Sequence, residues 1–150
     1  SVSFVGAEEL ARRLASFPDI TLIMSQVVPP PEGPDSDELL GSASEYATLL
    51  KRYFPADKPN FVGLEGYINA RVLVEGLQRA GRDLTRDGFI DAIESMRDFP
   101  LLPYNTLSFG PKDHQGLDQV YFTILKEGSF LLLNDWAVVR DSLEENGFRQ

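Results

Sequence analysis

Cysteine is absent from these 150 residues, which excludes thiolate catalysis, a cysteine-ligated zinc and any disulfide staple. The compartment stays open, because many exported bacterial proteins also lack cysteine. Histidine occurs once, as His114, so a two-histidine site is impossible and a Ser-His-Asp triad would need that residue as its base. Basic residues are few. With 14 of them against 23 acidic ones the net charge is −9, so phosphate backbones and anionic membrane surfaces are repelled and nucleic acid is not expected as a partner. No apolar run approaches the roughly 20 residues that span a bilayer. No basic-then-apolar segment stands at the start either, so an export signal would lie upstream. Internal repeats, low-complexity tracts and the GxSxG, P-loop, HExxH and EF-hand signatures are all missing.

What remains suits one globular α/β domain, since 150 residues with 43% hydrophobic content can bury a core without metal or disulfides. SVSFVG reads as a strand end. Ala7 to Ser16 then places Leu10, Arg13 and Leu14 on one helical face with Ala11 beside them. Ile20 to Val28 is aliphatic and β-branched and is stopped by Pro29, Pro30 and Pro31, as a strand entering a rigid crossing would be. After a polar loop, Ser42 and Glu45 fit a capping box, and Tyr46, Leu49, Leu50 and Tyr53 follow helical spacing up to Pro55. A long helix is expected from about Glu65 to Ala80, with Ile68, Val72, Leu73 and Leu77 along its buried stripe, close approach at Ala70 and Gly76, and Gly81 as its cap. Thr85 opens another, burying Phe89, Ile90, Ile93 and Met96 and ending at Pro100. The period then falls to two. Thr106 to Phe109 reads as a short strand, and Gln119 to Lys126 with Phe130 to Asn134 as a hairpin turned at Glu127 to Ser129. The tail from Trp136 carries a weak pattern for a short helix.

Chemistry has few places to reside. His114 sits in a Gly/Pro turn between Asp113 and Gln115, where an imidazole that fixes the loop by hydrogen bonds is favoured over a catalytic base. The acidic pairs Glu8 with Glu9, Glu32 with Asp35 and Glu144 with Glu145 read as solvated surface charge. Glu8 has a second reading. It follows the expected strand in the first turn of a helix, at the edge where open α/β sheets bind ligands, although a first-turn acid is also favoured there by the helix dipole alone.

Two stretches carry more information than composition does: FVGLEGYINARVLVEGLQRAGRDLTRDGFIDAIESMRDF from Phe61 to Phe99, and LSFGPKDHQGLDQVYFTIL from Leu107 to Leu125. With EGY opening a helix, AGRDLT joining two and FGPKDHQG before a strand, the chain resembles the type I periplasmic solute-binding proteins, the branched-chain amino acid receptors of ABC transporters above all. The resemblance implies a three-layer α/β/α sandwich belonging to a two-lobed clamshell of more than twice this length, of which this chain matches the C-terminal part. By that likeness residues 1–27 and 108–136 belong to one lobe, 28–107 to the other and 137–150 to a tail. Gln26 with Pro29 to Pro31, and Leu107 to Gly110, match the crossings between lobes.

Glu8, in FVGAE, matches the position of a carboxylate that grips a ligand's α-ammonium group. Phe61, Glu65 and Tyr67, near the start of the long helix, match positions close to the cleft. The resemblance further implies an amino acid or similar small polar ligand, a membrane permease as partner, an extracytoplasmic or periplasmic location, and no cofactor, metal or catalysis. A ligand-sensing domain of a signalling protein uses the same clamshell and is the alternative, with an enzyme using His114 third. Two departures stand out. The region of the other lobe that supplies groups for a ligand's carboxylate is not in this chain, which leaves room for self-association, and LLPYNTLSF lacks the glycines common before SFGP.

Overall fold

A computed structural model describes residues 6–17, 20–32, 42–102, 105–137 and 139–140. The expected strand in SVSFVG, the loop after Pro31 from residue 33 on, and nearly all of the tail lie outside them. Helix α1 spans Ala7–Leu14, strand β1 Ile23–Gln26, helices α2, α3 and α4 Ser42–Tyr53, Phe61–Ala80 and Arg86–Glu94. Strands β2 to β5 follow at Phe99–Leu102, Asn105–Leu107, Tyr121–Lys126 and Ser129–Leu132. Helices and strands are mixed as the α/β reading expects.

The main sheet has the order β1-β4-β5 and is antiparallel throughout. Its central strand β4 pairs Ile124 with Ile23 and Tyr121 with Gln26 on one side, and Leu125 with Phe130 on the other. Thr123 is fully buried there. Its hydroxyl donates to the Met24 carbonyl at 3.1 Å, which satisfies the one polar atom that the core position encloses. The hairpin turn at Glu127 and Gly128 takes positive φ at both residues, the geometry of a tight two-residue connection.

Helix α3 starts at Phe61, four residues before the expected Glu65, because Asn60 caps it. The Asn60 side chain accepts the Gly63 amide at 2.8 Å and its carbonyl accepts the Leu64 amide at 3.0 Å. Gly63 and Gly66 lower the helical signal of that first turn, but the cap and the buried Phe61 and Leu64 outweigh them. The buried stripe is Phe61, Leu64, Ile68 and Gly76, with Val72 partly covered, whereas Leu73 and Leu77 are exposed at 51% and 39%. Gly76 lets α4 approach, with Phe89 and Ile93 closing on its bare Cα. Gly81 ends the helix at φ 75°, donating to the Leu77 carbonyl.

Other expectations shift in detail. On α1 the residues that face the core are Ala7, Ala11 and, in part, Leu10, while Arg13 turns outward with Arg12 to grip Glu9. Those two guanidiniums pull the Glu9 carboxyl down to about 2, but all three groups are wet, so they add little to stability. On α2, Ala43 and Tyr46 are buried and Tyr53 is exposed; on α4, Met96 just beyond the helix is fully buried and Ile90 is exposed. Strand β2 was not expected, because Pro100 ends the helical pattern. It pairs with Thr106 in a two-stranded ribbon, an edge position where proline's missing donor leaves no ladder partner stranded. The terminal hairpin agrees with expectation.

Candidate functional site

Three chain segments meet around an open cavity of about 850 Å³. Helix α1 contributes Glu8 and Ala11, the turn into α3 contributes Lys58, Pro59, Asn60 and Phe61, and the terminal hairpin contributes Gly128 to Leu131. Pro31, from the proline run, closes one side. The lining is mixed, with apolar Ala11, Ala15, Phe61, Phe130 and Leu131 beside charged Glu8, Arg12, Glu32 and Lys58, and the size lies in the range of small-molecule sites.

Glu8 is brought to this cavity by its place in the first turn of α1, whose N-cap is Gly6 with φ 74°. One carboxylate oxygen, Oε1, accepts the Phe61 backbone amide at 3.1 Å, across 53 residues of sequence. That amide is available because first-turn N–H groups of a helix lack intrahelical acceptors and Asn60 serves Gly63 instead. The Tyr46 hydroxyl in turn accepts the Asn60 amide at 3.4 Å. The Phe61 ring is buried and meets the Phe130 ring edge-on, with centroids 6.0 Å apart and planes at 78°. The cavity therefore offers a carboxylate held by a helix N-terminus beside an aromatic wall.

Glu65 and Tyr67 point elsewhere. Glu65 lines a separate hollow of about 370 Å³ with Val27, Val28 and Leu117 to Val120, next to both proposed crossings. Tyr67 stacks at a tilt on Tyr46, with centroids 5.9 Å apart, and shares Glu45 and Arg71 as neighbours. Arg71 extends over the Phe99 ring and reaches the carbonyls of Pro100 and Leu101, so this cluster fastens the β2–β3 ribbon to α3. Of the four residues anticipated near the cleft, the structure gathers Glu8 and Phe61 in one cavity, puts Glu65 one turn further along α3 in a separate hollow and Tyr67 on another face of the helix.

Burial, and then the hydrogen bond to Glu45, push the Tyr67 hydroxyl up to about 12 from the usual 10. Its folded form thus keeps a proton that the unfolded chain loses. The stabilisation is complete below pH 10 and is lost as the pH rises towards 12. In a spectroscopic titration of tyrosinate, one of the five tyrosines is expected to ionise late, and Tyr67→Phe to delete that step. Five ordinary transitions would contradict the cluster.

His114 makes a loop-fixing hydrogen bond of the kind that the turn suggested. Its Nε2 lies 2.9 Å from Glu94 Oε1 while the ring stays largely exposed, and Gly110 and Asp113 exchange backbone hydrogen bonds across the turn. Arg97 reinforces the junction by donating to the carbonyls of Glu94, Met96 and Phe109. Among the described residues no cluster of three or more metal-ligating side chains occurs, and no helix is long and apolar enough to cross a membrane.

Asn60, Lys58 and Phe130 are among the cavity residues that sequence reasoning missed. Asn60 carried a usable signal, a good N-cap residue directly before an apolar position and three before Gly63. Phe130 carried none, since its approach to Phe61 depends on tertiary packing.

A family profile described as periplasmic binding protein matches residues 18–129, more than half of the chain. None of the curated proteins compared with the chain matches it. Among solved structures, a possible leucine/isoleucine/valine-binding protein from Rhodopirellula baltica SH 1 superimposes with a TM-score of 0.79 at 31% identity. The superposition covers 91% of this chain but 35% of that one, so the chain spans about a third of that relative's length.

Proposed function

Because the chain belongs to the type I periplasmic binding proteins of the branched-chain amino acid family, we propose that it captures an amino acid or similar small polar metabolite by hinge closure. It does so as part of an extracytoplasmic receptor that delivers its cargo to the permease of an ABC transporter. The observation that carries this reading is Glu8. A carboxylate at the mouth of an aromatic-walled cavity, steadied by a helix amide, is suited to an ammonium group. Capture by these groups needs no covalent chemistry, only orientation and exclusion of water.

The lobe division supports a hinge. Residues 1–27 and 108–136 hold α1 and the main sheet, in which α1 packs on β5, whereas 28–107 hold α2, α3, α4 and the β2–β3 ribbon, packed on one another. Between them run the proline segment and the Leu107 to Gly110 stretch. The cavity lies where the two groups of elements face each other. Glu8 itself is exposed, so an ion pair there gains strength only when closure removes it from water.

The test is a calorimetric titration of the full-length receptor carrying this chain against the common amino acids. Glu8→Gln removes the charge with little change of shape. It is expected to weaken binding of an amine-bearing ligand about tenfold or more, the worth of a hydrogen bond to a charged group. Undiminished affinity would refute the role of Glu8.

A further inference from the structure

We propose that Glu8 is also a latch between the two lobes: its carboxylate, docked on the first amide of α3, holds the cleft toward the shut position while presenting its other oxygen to the ligand. The inference rests on the lobe division proposed above and extends it from a ligand group to a closing contact. Glu8 rides on α1, which packs against β5; Phe61 opens α3, which packs against α2 and α4. Their hydrogen bond therefore joins two groups of elements that are otherwise linked by the crossings and by the apolar core they share.

Three features make the contact more than a chance approach. The acceptor is a carboxylate and the donor stands at the positive end of a 20-residue helix, so charge and dipole are matched. The donor is kept free by Asn60, whose side chain caps Gly63, and Asn60 is itself held by the Tyr46 hydroxyl. The edge-on contact of Phe61 with Phe130 joins the same two bodies a few atoms away, so polar and apolar parts of the latch form together. Oε1 is used by the amide, and no described residue bonds Oε2, which leaves it for an ammonium. Ligand and latch then support each other, because a carboxylate already oriented by α3 loses less freedom when the ligand arrives.

This chain has no cysteine to compete for the label, and any cysteine elsewhere in the receptor is first replaced by serine. Cysteines placed at the exposed Lys51 and Lys126, one in each lobe, carry spin labels in the full-length receptor, and pulsed electron resonance measures their separation with no ligand added. Glu8→Ala is expected to lengthen and broaden the distribution, and Glu8→Gln, which keeps an oxygen acceptor, to fall between it and the unchanged protein. Asn60→Asp provides an independent arm. Aspartate still caps Gly63 but sets a second negative charge beside Glu8, so it too should broaden the distribution without disturbing the helix. Distributions for Glu8→Ala and Asn60→Asp that superimpose on the unchanged protein would overturn the latch. L-leucine is then added as the probe. Failure of the unchanged receptor to bind it or any other amino acid would count against the proposed function, while the ligand-free distances still decide the latch.

Discussion

Leu64→Ala is expected to lower the stability of the fold by about 3 kcal/mol, within the range for truncating a buried leucine. Leu64 is fully buried, on the stripe of α3 that faces the main core with Phe61 and Ile68. Its replacement removes apolar contacts and leaves a void whose lining is already fixed by the helix on one side and the sheet on the other. A melting point roughly 10 °C lower should follow for a domain of this size, read by circular dichroism. A loss below about 1 kcal/mol would mean that α3 does not pack through this face.

Gly63→Val should come second, at about 2 kcal/mol, and for the opposite reason. A Cβ at Gly63 would overlap the Tyr46 hydroxyl and lie 2.9 Å from its Cζ and 3.3 Å from Asn60 Oδ1. Tyr46 is buried and its hydroxyl holds the Asn60 amide, so the ring cannot retreat without releasing the cap of α3. Overpacking of this kind commonly costs about 1–3 kcal/mol, more than the few tenths that valine recovers over glycine in helical propensity. Gly66 supplies the control. Nothing lies within 4 Å of a Cβ built there, so Gly66→Ala should stabilise by about 0.5–1 kcal/mol through the unfolded chain. Equal effects at the two glycines in urea titrations would remove the argument from Tyr46.

Much of this fold could be read from the residues because local and tertiary preferences agree. The Gly81 cap, the Thr85 cap with its Gly88 bond, and the β4–β5 hairpin around Glu127 and Gly128 all depend on groups within a few positions of one another. Periodicity misleads elsewhere, in some places through a distant partner and in others through a local one. Leu73 and Leu77 have the spacing of a buried stripe, yet the neighbours of α3 lie on the face of Leu64 and Gly76. Arg13 was placed inward by periodicity but is drawn outward by Glu9. The start of α3 was set late because the glycines at 63 and 66 weaken the pattern that Asn60 then rescues. For the cavity, Glu8 and Phe61 were each identified, but their hydrogen bond spans 53 residues and leaves no trace in spacing. Glu65 and Tyr67 share the helix start with Phe61; Glu65 lies one turn further along nearly the same face and Tyr67 on a different face, which divides the three among separate hollows.

Strands β1 and β4 meet with Gln26 opposite Tyr121, so the chain leaves the sheet and re-enters it at neighbouring backbone positions. In topological terms β1, β4 and β5 are a meander, and everything from Val27 to Val120 is a large insertion into the link between its first two strands. Its buried side chains share one apolar core with Met24, Tyr121 and Phe130 of the meander, so the insertion and the frame that receives it stabilise each other. On the proposed hinge, the inserted part would turn about a single doubled stem at Gln26 and Tyr121.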